Sequence, residues 1–139
     1  MRVMLDTNVL LSALIFHSAT LTRTIEFASS RGNRLLLSTY VIDEAREAVS
    51  RKWPTRLPAL DDLFQELDFE TINTPITMDT TLFEIRDPMD YPVLYSAIIG
   101  SADIFVTGDK DFLDVHVQHI RILTPSEYVE LYTSNFYET

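Results

Sequence analysis

Ile104-Phe105-Val106-Thr107-Gly108-Asp109 is the stretch that decides the fold. Three consecutive large apolar residues, with no polar residue between them, read as a strand buried on both faces. The run stops at threonine, glycine and aspartate, all turn residues, and Gly108 would let the backbone bend sharply there. A strand buried on both faces belongs to a sheet covered by helices, and helical patterns lie on either side of this one. Upstream, Pro88 precedes a helix from Met89 to about Ile99, with Leu94, Ala97 and Ile98 on one apolar stripe. Downstream comes a last strand, Ile120-Arg121-Ile122-Leu123. Thr124-Pro125-Ser126-Glu127 then starts a terminal helix over about 125–136, with Thr as cap, Pro at N1 and Glu at N3.

The same signal opens the chain. Arg2-Val3-Met4-Leu5 is an apolar run that ends at Asp6-Thr7-Asn8. Asn8 is expected to cap a helix reaching Phe16, and a second helix runs from about Thr20 to Ser29. Arg34-Leu35-Leu36-Leu37 reads as a strand. Ser38 or Thr39 then caps a helix from Tyr40 to about Lys52, with Pro54 just beyond it. Pro58 opens another helix through Leu67, and Phe69–Thr74 is a weaker strand. Strands alternating with helices give an α/β fold with a mainly parallel β-sheet flanked by helices. The 139 residues suit a single domain over 1–139, with its core in about 2–123.

Composition excludes several classes of function. Without cysteine there is no disulfide, no thiolate chemistry and no Cys-ligated zinc. No apolar run is long enough to span a bilayer, and the N-terminus meets a charge too soon for a secretory signal, so a cytoplasmic location without membrane contact is expected. The net charge of −10 is ill-suited to nucleic acid. It is unevenly spread, however. Residues 1–60 carry eight Lys/Arg against five Asp/Glu, whereas residues 61–114 carry two against thirteen.

Four carboxylates stand out against that background. Asp6 and Asp109 follow buried strands, where open α/β sheets bind ligands. Asp90 lies in the first turn of its helix, in line with the apolar stripe. Glu44 borders the apolar face formed by Tyr40, Val41, Ala45 and Ala48. Taken singly, each has a plain reading as a cap, a first-turn acid or a border residue. Gathered in one cleft they could not all stay ionised without a cation, and oxygen-only ligands select Mg²⁺ or Mn²⁺. Such ions assist phosphodiester hydrolysis. His17, His116 and His119 are scattered, no Ser–His–Asp relay is evident, and no Gly-rich phosphate loop occurs.

Four segments, in this order, make the chain resemble the PIN-domain family. They are Met4-Leu5-Asp6-Thr7-Asn8-Val9-Leu10, Ser38 to Glu44, Arg86-Asp87-Pro88-Met89-Asp90, and Ala102 to Asp111. The likeness is closest to the VapC-like toxins of toxin–antitoxin systems. It implies a parallel sheet with an acidic Mg²⁺/Mn²⁺ site that cleaves RNA by metal-activated water. By motif position the ligands and catalytic acids would be Asp6, Glu44, Asp90 and Asp109, with Asp87 and Asp111 as further candidates. Asn8 and Thr107 would support them by hydrogen bonds. The resemblance also implies a homodimer and an antitoxin partner. RNA contact would fall to Arg46, Arg51 and Lys52, with Arg23, Arg31, Arg34 and Arg56 as additional cations. Tyr91-Pro92 departs from the family pattern and, with the acidic charge, motivates a second reading. In that reading the chain is an inactive PIN-fold module that binds RNA or a protein. A third reading, a haloacid-dehalogenase-type phosphatase, would need a second acid where Asn8 stands.

Overall fold

A computed structural model describes residues 1–30 and 32–138, and their side chains up to residue 133. Five strands form one parallel sheet in the order β3-β2-β1-β4-β5. They are β1 (Arg2–Leu5), β2 (Arg34–Ser38), β3 (Phe69–Ile72), β4 (Ile104–Val106) and β5 (Arg121–Leu123). Seven helices flank it among the described residues: α1 (Thr7–Phe16), α2 (Ala19–Ala28), α3 (Thr39–Lys52), α4 (Leu57–Glu66), α5 (Tyr91–Ile99), α6 (Lys110–Leu113) and α7 (Pro125–Glu138). None of these helices is long and apolar enough to cross a membrane.

The apolar runs explain the sheet. Successive strand residues point to opposite faces. Val3, Met4 and Leu5 are all fully buried, as are Leu35, Leu36 and Leu37, so both faces of β1 and β2 are covered. Phe105 of β4 packs edge-on against Phe112 of α6, with ring centroids 5.2 Å apart. A smaller cluster of Ala45, Val49 and Leu60 joins α3 to α4. α2 and α7 meet through stacked Phe27 and Tyr132 rings, 4.1 Å apart.

Several expected boundaries move by one or two residues. α1 begins at Thr7, because Asp6 rather than Asn8 is its cap and accepts a hydrogen bond from the Thr7 amide. Ser38 caps α3 by accepting from the Val41 amide at 3.1 Å. The start of α7 is as the sequence predicts. The Glu127 amide donates to Thr124 Oγ1 at 3.1 Å, and the Thr124 amide donates to Glu127 Oε1 at 3.0 Å.

Gly100 ends α5 where the chain has no room for a side chain. A Cβ there would lie 2.9 Å from Ile72 Cγ1 and 3.2 Å from the Ser96 carbonyl. The Gly100 carbonyl also accepts from Arg2 Nε and Nη2 at 3.0 and 2.8 Å, which ties α5 to β1. Gly100→Ala is expected to destabilise the protein by about 1–2 kcal/mol, because displacing Ile72 outweighs the lost unfolded-chain entropy. A urea midpoint equal to or above that of the wild type would refute this.

Candidate metal centre

β1 sits at the middle of the sheet, and the chain leaves it toward β2 on one side and meets β4 on the other. The crevice beyond the carboxyl ends of β1 and β4 is therefore the topological switch point. Asp6 emerges there from β1, and Thr107 to Asp109 emerge from β4, whose Phe105 and Val106 pair with Met4 and Leu5.

Asp6 is the deepest of the acids, with 4% of its surface exposed. Its Oδ1 accepts from the Thr7 amide and its Oδ2 from Thr107 Oγ1, both at 2.7 Å. Burial nonetheless raises its carboxyl to about 6, against the two hydrogen bonds that lower it and with help from the charges of Glu44 and Asp109. Thr107, fully buried, also accepts from the Asp109 amide at 3.0 Å. One hydroxyl thus bonds to both the Asp6 carboxylate and the Asp109 amide.

Asn8 does not share that role. It is exposed, and no side-chain hydrogen bond of Asn8 is found among the described residues. With α1 starting two residues earlier, Thr7 turns inward instead, and its hydroxyl donates a short hydrogen bond to Glu44 Oε1. Glu44 lies on the exposed side of α3 and is brought to the site by this contact, while Val41, Ala45, Ala48 and Val49 of the same helix are buried.

Asp90 closes a 3-10 turn over Pro88–Asp90 and stands at the N-terminal boundary of α5, where its side chain caps nothing. Pro92 therefore falls in the first turn of α5, where a missing amide costs little, and the departure at Tyr91-Pro92 leaves the position of Asp90 intact. The Tyr40 hydroxyl donates to the Met89 carbonyl at 3.0 Å and ties this turn to α3. Burial, followed by the charges of Asp109, Asp87, Asp111 and Glu44, raises the Asp90 carboxyl to about 6.

Asp109 caps α6 by accepting from the Asp111 amide at 2.9 Å. That four-residue helix is where the sequence predicts only a turn. Gly108 does not have a positive φ, and a Cβ there would meet nothing within 4 Å, so the turn does not depend on glycine.

Asp90, Asp109 and Asp111 each place one carboxylate oxygen so that all three lie within 4.8 Å of one another. Asp6 and Glu44 lie outside this group but act on it electrostatically and are joined to it through Thr7 and Thr107. Asp87 is exposed and caps the 3-10 turn by accepting from the Met89 amide at 3.0 Å, so it is not part of the cluster. A cluster of carboxylates with two more acids beside it, and no sulfur or imidazole among them, fits a hard divalent cation.

Arg86 was not assigned a role by the sequence. It forms a two-pronged pair with Asp111, Nε to Oδ1 at 3.0 Å and Nη2 to Oδ2 at 2.8 Å. The cations expected to meet RNA are partly engaged elsewhere. Arg46 pairs with Asp61 at 2.6 Å, Arg51 with Glu47 at 3.0 Å, and Lys52 lies over the Trp53 ring. Arg34 pairs with Asp68 and Glu70, Arg56 donates to the Leu14 carbonyl, and Arg31 lies outside the described residues.

A family model described as PIN domain matches residues 2–111. Among solved structures, VapBC2 from Rickettsia felis, bound to a promoter DNA fragment, is similar with a TM-score of 0.68 and 18% identity, over 89% of this chain and 98% of that one. DNA-bound VapBC from Salmonella typhimurium gives 0.64 and 17%, over 90% and 98%. Mycobacterium tuberculosis VapC20, described as a toxin that cleaves the sarcin-ricin loop, gives 0.58 and 14%, over 79% and 92%. At these identities the likeness is one of fold. No curated protein matches the chain in sequence.

Proposed function

Because the chain belongs to the PIN-domain family, we propose that it is a Mg²⁺- or Mn²⁺-dependent endoribonuclease, acting in the cytoplasm as the toxin of a toxin–antitoxin pair. The observation that carries this reading is the group of Asp90, Asp109 and Asp111 carboxylates beyond β4 and at the start of α5, beside the buried Asp6 at the end of β1. Asp6, Glu44, Asp90 and Asp109 would hold the ion. When bound, it supplies positive charge opposite the phosphoryl oxygens and a water made nucleophilic at neutral pH.

The chain's own residues do the positioning. Thr107 holds Asp6 and Asp109 in register, and Thr7 holds Glu44. Tyr40 fixes the turn that presents Asp90. Because the acids stand at strand ends, at helix boundaries and within α3 rather than on a free loop, they are held in place before substrate arrives. Two of the similar structures are VapBC assemblies on DNA. By that likeness an antitoxin would cover the cleft of this chain, and the chain would pair with a second copy.

Purified protein is expected to cut RNA with Mg²⁺ or Mn²⁺ and to stop when EDTA is added. Cutting that persists in EDTA would refute the metal dependence. Intact folding with no cutting and no Mn²⁺ binding would instead leave a binding module on the PIN fold.

A further inference from the structure

RNA approaching this site meets carboxylates first, and a phosphate backbone needs a cation to overcome them. Among the described residues Arg86 is the one Lys or Arg that forms an ion pair with an acid of the site. The pair is a fork, and it engages both oxygens of Asp111 but only two of the five N–H donors of the guanidinium. The Arg86 side chain is 80% exposed and that of Asp111 is 21% exposed. The locked edge thus faces the carboxylates, and the open edge faces solvent at the rim.

We infer that Arg86 positions the RNA phosphate at the site, and that Asp111 is its anchor rather than a metal ligand. This rests on the nuclease reading. A planar guanidinium matches a phosphate through paired N–H bonds and keeps its charge at any working pH. Anchoring it to a carboxylate on α6 removes much of the rotamer freedom that a long exposed side chain would otherwise lose on binding. Asp111 is the poorer ligand of the clustered three, because both of its oxygens already accept from Arg86. Asp90, by contrast, caps no amide and faces the cluster free. An exposed ion pair contributes little to folding, so removing this one should be felt in binding and not in stability.

The test is the affinity of a fluorescently labelled RNA oligonucleotide, read by anisotropy across salt concentrations. Ca²⁺ would replace Mg²⁺, being a hard ion too large for the octahedral geometry Mg²⁺ demands. Arg86→Ala is expected to weaken binding roughly tenfold. It should also flatten the slope of log affinity against log salt by about 0.7, the value of one single-strand phosphate. Arg86→Lys keeps the charge without the fork and should lose less, while Asp111→Asn should weaken binding in the same direction. Mn²⁺ affinity by calorimetry should stay within about twofold in Arg86→Ala and Asp111→Asn. Unchanged RNA affinity and salt slope in Arg86→Ala would overturn the proposal, as would loss of Mn²⁺ binding in Asp111→Asn. If the wild type itself neither binds Mn²⁺ nor cuts RNA, the nuclease reading fails. A tenfold loss of RNA affinity in Arg86→Ala would still stand, so the two failures are separable.

Discussion

Asp6→Asn is expected to lower the rate of RNA cleavage by about three orders of magnitude, while leaving the metal-free protein somewhat more stable than the wild type. The two effects have one cause. Asp6 is buried at the end of the central strand, and burial raises its carboxyl to about 6. The folded value lies above the unfolded value of 3.8, so the folded state holds the extra proton between about pH 4 and 6. Stability of the metal-free protein therefore falls as pH rises through that window, and it stays lower above it. The difference between 3.8 and about 6 corresponds to about 3 kcal/mol at neutral pH. Asparagine does not carry that cost. Its amide must set an NH₂ group against the Thr7 amide or the Thr107 hydroxyl, which takes back about 1 kcal/mol. The expected net gain of about 1–2 kcal/mol would appear as a higher urea midpoint in EDTA at neutral pH. Cleavage at the wild-type rate, or a midpoint below that of the wild type, would contradict this account of Asp6.

The acid side of the pH profile carries the second large effect. Asp6 and Asp90 are both raised to about 6, and a protonated carboxyl does not ligate a hard ion. Below pH 6 each bound proton costs a factor of ten per unit, so Mn²⁺ affinity should fall by up to about 100-fold per pH unit. At sub-saturating Mn²⁺, kcat/KM should follow with a slope approaching two. Added Mn²⁺ competes with the protons and should move the fall to lower pH. A flat profile down to pH 5 would show that neither carboxyl titrates where its surroundings place it.

Much of this arrangement is legible in the sequence, for physical reasons that differ from residue to residue. Val3-Met4-Leu5 and Ile104-Phe105-Val106 announce buried strands because no polar residue interrupts them, and the residues that follow must then sit at strand ends. That locates Asp6 and Asp109. The capping box at Thr124 and Glu127 is legible because its geometry is local. α6 is not, since four residues are too few to show a helical period. The exchange of Asn8 for Thr7 turns on a two-residue shift of the helix start, from an expected cap at Asn8 to the cap at Asp6. Both residues are polar, so composition could not choose between them. The fork between Arg86 and Asp111 joins residues 25 apart across an irregular segment, where no periodicity relates the two.

The hydrogen bond from Thr107 to Asp6 spans 101 positions of the chain. Its two ends are therefore made at very different times. Asp6 leaves the ribosome well before Thr107, which follows only after four of the five strands have been translated. At roughly 5–20 residues per second the interval is on the order of 5–20 s. Until then Asp6 has neither its hydroxyl donor nor the aspartates of the β4 side. The site is therefore complete only after β4 has been made and has paired with β1.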